Sequence, residues 1–315
     1  MKMKFIDLCS GIGGGRLGME ANGLQCVGHA EIDAEPDKTY TLFFGEEKNY
    51  GDVMSINPAT LPHFDFLIAG FPCQTFSIVG QRKGFNDERG QVIFGIEKIL
   101  KECNTKYFIL ENVKGLVNHD DGKTFRFIIE LLEKVGYDVY SKVISSTEYG
   151  IPQIRERVYI VGIKKGLSKK HYSFPSSVAV RPISEFLIDE ESDVMDICNP
   201  TFQKYIHNKY NEGKINLEEI LSNDYWVVDT RQSDLRIQKE FCPTIRRGRQ
   251  GILYVKDRKL RVLSGMESLL LQGFPVELIM KVKGIIPESK LKAQAGNAMT
   301  VSVIEKIVKS IMEVI

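Results

Sequence analysis

The sequence predicts an α/β chain, a doubly wound, mostly parallel sheet carrying a smaller, loop-rich module. Three observations lead there. Short apolar runs alternate with helix-patterned segments over the first 165 residues, the pattern of strand–helix–strand units covered on both faces. A glycine-rich turn, Asp7-Leu-Cys-Ser-Gly-Ile-Gly-Gly-Gly-Arg-Leu-Gly18, lies between the first strand and the first helix. The alternation stops near residue 165, and regular helical patterning returns only at Ser264–Leu271 and Val301–Ile315.

Taken in order, Lys4–Cys9 is a short apolar strand, and Arg16–Asn22 follows the glycines. Gln25–Glu31 is a second strand with Pro36–Phe44 helical behind it, and Phe64–Ala69 is a third. Val92–Cys103 has helical spacing, and Tyr107–Leu110 is a fourth strand. In Thr124–Val135 the residues Phe127, Ile128, Leu131, Leu132 and Val135 share one helix face. Tyr137–Ile144 and Val158–Ile163 complete the strands. Beyond them, 166–260 is polar and irregular, with short strands at Trp226–Asp229 and Gly251–Lys256. The expected division is therefore 1–165 with 261–315, against 166–260.

Composition narrows the function classes. With 315 residues, 43% hydrophobic and 26% charged, the chain is an ordinary globular one. No apolar run approaches the roughly 20 residues of a membrane span. The first residues lack a signal-peptide core, so the expected location is the cytoplasm. Six cysteines stand at 9, 26, 73, 103, 198 and 242, without a CxxC pair or zinc spacing, so neither a disulfide framework nor a metal is expected. Net charge is only +1, but 151–265 holds 20 basic against 15 acidic residues. Within 241–261 seven basic residues face one acid, a local surface suited to a polyanion.

Two places carry chemistry. The glycine turn lets a ligand approach backbone at a helix N-terminus, and Glu31, 20 residues beyond Gly11, can take two ribose hydroxyls. That pair suits any adenosine-bearing ligand: NAD, FAD or S-adenosylmethionine. The second place is Ala69-Gly-Phe-Pro-Cys-Gln-Thr-Phe-Ser77, at the carboxyl edge of the sheet. Free cysteines are mostly small buried hydrophobes. Cys73 differs, because it follows a proline among polar groups and opens Gly80–Gly90, which carries Arg82, Lys83 and Arg89. Such surroundings favour the thiolate. Glu111, ending the fourth strand, can face the same pocket, since neighbouring strands lie about 5 Å apart.

The residues resemble the DNA (cytosine-5) methyltransferases of bacterial restriction–modification systems over nearly the whole chain. The motifs occur in order: Asp7–Gly14, Glu31, Gly51-Asp52, Gly-Phe-Pro-Cys-Gln at 70–74 and Glu-Asn-Val at 111–113. Gln153-Ile-Arg-Glu-Arg157, Glu267 with Gln272-Gly-Phe-Pro275, and Gly296-Asn297-Ala298-Met299 follow. The resemblance implies a class I, Rossmann-like S-adenosylmethionine-dependent fold. Cys73 would attack cytosine carbon 6, Glu111 would act at ring nitrogen 3, and Arg155 and Arg157 would position a flipped nucleotide. S-adenosylmethionine would lie against Asp7, Cys9, Gly11, Ile12, Gly13, Glu31, Ile32, Asp52, Val53, Pro72, Asn297 and Met299.

The partner implied is double-stranded DNA, met by a single protomer beside a cognate restriction endonuclease. Gln74 and Ser77, beside Cys73, and Arg89, in Gly80–Gly90, the loop that would close on the DNA, would touch DNA. Arg231, Gln232, Arg236, Thr244 and Arg246 would do so from the recognition span, with Arg247, Arg249 and Lys256 on phosphate. The chain departs from the family where Cys9 replaces a phenylalanine, Ile32 a tryptophan and Leu270 an arginine. A tRNA cytosine methylase lacks support in the recognition span. A nicotinamide oxidoreductase gives no account of Cys73 and Glu111, and a non-enzymatic DNA binder none of the intact catalytic set.

Overall fold

The computed structural model describes residues 2–72, 92–189 and 192–315. Contacts divide the chain into two compact units. One is Met1–Ser145 with Glu156–Ser177 and Ala298–Ile315, and the other Ser146–Arg155 with Val178–Asn297.

The first unit is built on six strands: β1 (Lys4–Leu8), β2 (Gln25–Ala30), β3 (Phe66–Gly70), β4 (Tyr107–Val113), β5 (Tyr137–Ser145) and β7 (Glu156–Lys164). The short strand β6 (Gln153–Ile154), between β5 and β7 in the chain, belongs to the second unit. The sheet order is β2-β1-β3-β4-β7-β5. β1 to β4 are parallel, as expected, whereas β7 is antiparallel to β4 and β5. No crossover helix intervenes between β5 and β7, and adjacent strands without one pair antiparallel.

Helices α1 (Gly14–Glu20), α2 (Ala34–Phe44), α3 (Val92–Glu102) and α4 (Lys123–Lys134) connect or cover the strands. Side chains alternate along each strand. Ile6, Leu8, Leu67, Ala69, Phe108 and Leu110 join Ile96 and Ile99 of α3 and Ile128 and Leu132 of α4 in one core. The alternates include Asp7, Ile68 and Glu111, and Ile68 lies against α1. β2 and β3 flank β1 on its two sides, so connections leave in opposite directions there. This is the switch point at which open α/β sheets bind ligands, beyond the carboxyl ends of the strands.

In the second unit β8 (Trp226–Asp229), β9 (Arg236–Lys239), β11 (Ile252–Lys256) and β12 (Lys259–Val262) form an antiparallel sheet in the order β12-β11-β8-β9. β11 and β12 are joined through Asp257 (φ 51°) and Arg258 (φ 59°), the left-handed pair of a type I′ hairpin. β10 (Cys242–Pro243) pairs with β6. The helices are α5 (Pro200–Ile206), α6 (Leu217–Leu221), α7 (Gly265–Leu270), α8 (Val276–Val282) and α9 (Glu288–Asn297). Phe202, Ile206, Ile220, Leu221, Val228, Leu253, Val255 and Leu260 form its core. The chain returns to the first unit as α10 (Val301–Met312).

The compact units depart from the expected boundaries. α7, α8 and α9 fall in the second unit, and buried polar side chains tie α7 and α9 into it. Glu267 closes a capping box with Ser264, and its carboxylate accepts from Tyr254 Oη (2.8 Å) and Ile188 N (2.8 Å). Gln272 Nε2 donates to Ala295 O (2.7 Å), and Gln153 Nε2 to Leu271 O (2.8 Å). No described helix is long and apolar enough to cross a membrane.

Candidate active site

Left-handed backbone at Cys9 (φ 49°), Gly11 (φ 55°) and Gly13 (φ 85°) makes the turn after β1. A side chain on Gly13 would run into the Phe44 ring. At Gly11 no atom lies within 4 Å of where a Cβ would stand, so the turn offers bare backbone to a ligand. The Glu31 carboxylate is held beside it, accepting from Gly11 N (2.9 Å) and Asp33 N (2.9 Å). Asp52 is exposed and accepts from Met54 N (2.9 Å). Ile32 stands 77% exposed next to Glu31, an apolar surface that a flat base would cover.

Ile12, Val53 and Met299 are buried, as is Asp7, which is fully enclosed. Burial pushes the Asp7 pKa well above the usual carboxylate range, against the charge and backbone N–H of Arg16. Asp7 underlies the turn as a fully enclosed side chain. Pro72 is exposed, and Asn297 is exposed at the end of α9 in the second unit. The bare glycine, the braced carboxylate and the open isoleucine fit an adenosyl group.

The second wall starts at Gly70, opposite Glu111 in the β3–β4 ladder. Glu111 is 7% exposed, and its Oε1 lies 3.1 Å from Arg157 Nε. Asn112 is buried too. Its Nδ2 donates to Phe71 O (3.0 Å) and its Oδ1 accepts from Val113 N (2.8 Å), fixing the chain two residues before Cys73. Lys114 Nζ reaches both carboxylate oxygens of Glu156 (2.9 and 3.0 Å), beside Arg157. Sequence reasoning placed Asn112 within the Glu-Asn-Val motif but gave it no role, and did not single out Lys114, which follows the motif directly.

Cys73, Gln74, Ser77, Arg89 and the expected closing loop Gly80–Gly90 lie outside the described residues. Four of the five described cysteines offer no activated rival. Burial raises the thiol pKa of Cys9 far above its ordinary value, helped by Glu31, Asp7 and Asp52, and raises that of Cys242 as well. Burial likewise takes Cys26 to about 11 and raises Cys103. Cys198 is exposed, contrary to the expectation of a buried hydrophobe. Among the described residues no acidic, His and Cys groups gather as a metal site.

Arg155 and Arg157 separate. Arg157 faces Glu111, whereas Arg155, 2% exposed, donates from Nη1 to Ile245 O (3.3 Å) and Gly296 O (3.1 Å) within the second unit. The alternation of β structure puts residues two apart on one side, but the chain passes from one unit to the other between them.

The expected DNA readers divide in the same way. Arg231 is locked to Asp229 through Nε (2.7 Å) and Nη2 (2.7 Å), and Nη1 donates to Thr244 O (2.7 Å). Burial pushes the Asp229 carboxyl up, but Arg231's hydrogen bonds and charge outweigh it and the net shift is downward. Arg231 is thus a brace. Arg236 pairs with Asp234 (3.1 Å), and Tyr205 Oη donates to the Gln232 carbonyl (2.9 Å). Thr244 Oγ1 donates to Ile154 O (2.5 Å). Lys256 pairs with Asp224 (3.3 Å), and Arg258 with Glu218. Arg246 and Arg249 remain exposed and make no ion pair among the described residues, and with Lys292 of α9 they line one small pocket. Sequence reasoning missed Lys292, one of two lysines on a weakly patterned helix.

Residues 3–313 match the family model described as C-5 cytosine-specific DNA methylase. The chain is 38% identical over 312 residues to the type II methyltransferase M.HaeII of Haemophilus aegyptius, covering 98% of this chain and 92% of that one. It is 38% identical over 304 residues to the type II methyltransferase M.NgoBI of Neisseria gonorrhoeae, covering 96% and 90%. The solved structure of S. pombe Dnmt2 methyltransferase superposes with a TM-score of 0.73 at 20% identity, covering 99% of both chains. At that identity the likeness shows the fold.

Proposed function

The chain belongs to the C-5 cytosine-specific DNA methylases, and we propose that Cys73 is its nucleophile and Glu111 the partner that handles the proton. The enzyme transfers a methyl group from S-adenosylmethionine to carbon 5 of a cytosine within a specific duplex DNA sequence. One observation carries the residue roles. Glu111 is buried at the carboxyl edge of β4, paired with Gly70 three residues before Cys73, and faces the Arg157 guanidinium.

A cytosine inside a duplex presents neither ring face to a thiolate, so the base swings out of the stack. The Cys73 sulfur bonds to carbon 6, and the electrons of the 5,6 double bond move toward the ring nitrogen. Glu111 passes a proton taken up from water to nitrogen 3, so no full anion has to form on the ring. Arg157 holds the Glu111 carboxyl in place. Carbon 5 is then electron-rich. S-adenosylmethionine, when bound, supplies the methyl from its sulfonium. Loss of the carbon 5 proton to water and cleavage of the sulfur–carbon 6 bond free the thiolate, and nitrogen 3 returns its proton to Glu111, leaving the neutral aromatic ring. Glu31 would take the ribose hydroxyls and Asp52 the adenine amino group, with Gly11 and Ile32 against the rest.

The second unit holds DNA in this reading. Arg246, Arg249 and Lys292 are its phosphate clamp, because no carboxylate among the described residues pairs with them, while Arg231, Arg236, Lys256 and Arg258 are held by acids of their own unit. Each phosphate contact removed lowers the slope of log affinity against log salt by about one. Arg249→Gln and Lys292→Gln should each do so on target and unrelated duplexes alike, in titrations between 50 mM and 200 mM salt, values at which such contacts separate clearly. Loss confined to the target duplex would make these residues base readers instead. The enzyme acts as a single protomer in the cytoplasm, beside an endonuclease of the same specificity.

Labelled-methyl incorporation tests the whole reading. Duplex DNA containing the site should be labelled at cytosine carbon 5, with a modified position recurring in one sequence, and tRNA should stay unlabelled. Label in tRNA and none in duplex DNA would overturn it.

A further inference from the structure

The chain after α2 comes back beside the end of β2 and forms one parallel bridge, His29 with Asn49. Backbone bonds fix it there, from Tyr50 N to His29 O (2.8 Å) and from His29 N to Lys48 O (3.3 Å). At that point the Asn49 side chain continues the ladder that the backbone has left. Its Nδ2 donates to Glu31 O (2.9 Å), and its Oδ1 accepts from Glu31 N (3.0 Å) and from Gly51 N (2.8 Å). One amide therefore holds both main-chain groups of Glu31 and the first residue of Gly51-Asp52. An asparagine amide has the two kinds of polar atom this needs, and no charged side chain of similar size does.

We propose that Asn49 is a positioning residue for the adenosyl site, setting the distance between the Glu31 and Asp52 carboxylates. This rests on the reading that Glu31 takes the ribose hydroxyls. The Glu31 carboxylate already has its own hold from Gly11 N and Asp33 N. What it lacks without Asn49 is a fixed main chain, because β2 ends at Ala30. Asp52 stands in the same relation to Gly51. A carboxylate that is present but displaced by an ångström no longer distinguishes a ligand with both hydroxyls from one without.

The test is calorimetric titration of the full chain with S-adenosylhomocysteine and with its 2′-deoxy analogue. The wild-type protein should prefer the hydroxyl-bearing ligand by about tenfold, the scale of one or two hydrogen bonds. In Asn49→Ala that preference should shrink to about twofold or less. The same preference in variant and wild type, whether overall affinity falls or not, overturns the proposal, since a brace needed only for folding weakens both ligands equally. A wild-type protein with no preference removes the ribose role of Glu31, and the proposal falls with it. If Asn49→Ala does not fold, Asn49→Asp keeps the acceptor, loses the donor and is read in the same way.

Discussion

Cys73→Ser abolishes turnover while S-adenosylmethionine and duplex DNA still bind within about threefold of wild type. A serine hydroxyl stays protonated at neutral pH and is a far weaker nucleophile than a thiolate, so the bond to carbon 6 does not form. The change removes little volume, which is why binding survives. The expected loss exceeds about 10⁴-fold, as for deletion of a covalent nucleophile whose step has no alternative. Denaturing gels of the protein with an oligonucleotide carrying 5-fluorocytosine give the second readout. The wild-type chain should form an adduct that maps to residue 73, and the variant none. Measurable methylation by Cys73→Ser would refute the nucleophile assignment.

Glu111→Gln should lower kcat by about 10²–10⁴-fold, the usual weight of a positioned general acid. Glutamine keeps the size of the side chain and can still touch the base, but it cannot deliver a proton to nitrogen 3. It also takes the negative charge away from Arg157, whose side chain is 14% exposed and whose Nε lies 3.1 Å from the carboxylate. A largely enclosed guanidinium left without its partner adds to the loss. Single-turnover methylation at saturating DNA separates this from weaker binding: the slow step should be chemistry, with KM for DNA changed far less than kcat. A kcat within threefold of wild type contradicts the role given to Glu111.

The first unit was legible because its signals are local. A strand, a glycine turn and a helix follow one another within residues 4–20, and the apolar periods of α3 and α4 are strong. Glu31 and Glu111 stand at strand ends, where the parallel pattern alone brings carboxylates to the sheet edge. The second unit was legible only in outline. α5 and α6 are short, and α8 and α9 show no sustained apolar face in sequence, so their place could not be read. Arg231 looks like a base reader until Asp229, two residues back across a strand end, is seen to hold it. The reversal of β7 and the divergence of Arg155 from Arg157 both depend on a chain path that no local spacing encodes.

That path has a practical side. The polypeptide passes from one unit to the other at 145/146, 155/156, 177/178 and 297/298, so neither half is a continuous stretch. Cutting the gene after residue 165 would strip α10 from the half meant to be kept. A specificity graft confined to 166–260 would leave α7 to α9 and the 146–155 excursion behind, severed from Tyr254, Ile188 and Ile245, their own hydrogen-bonding neighbours. Interlaced in this way, the protein resists modular recombination unless donor and host exchange 146–155 and 178–297 together.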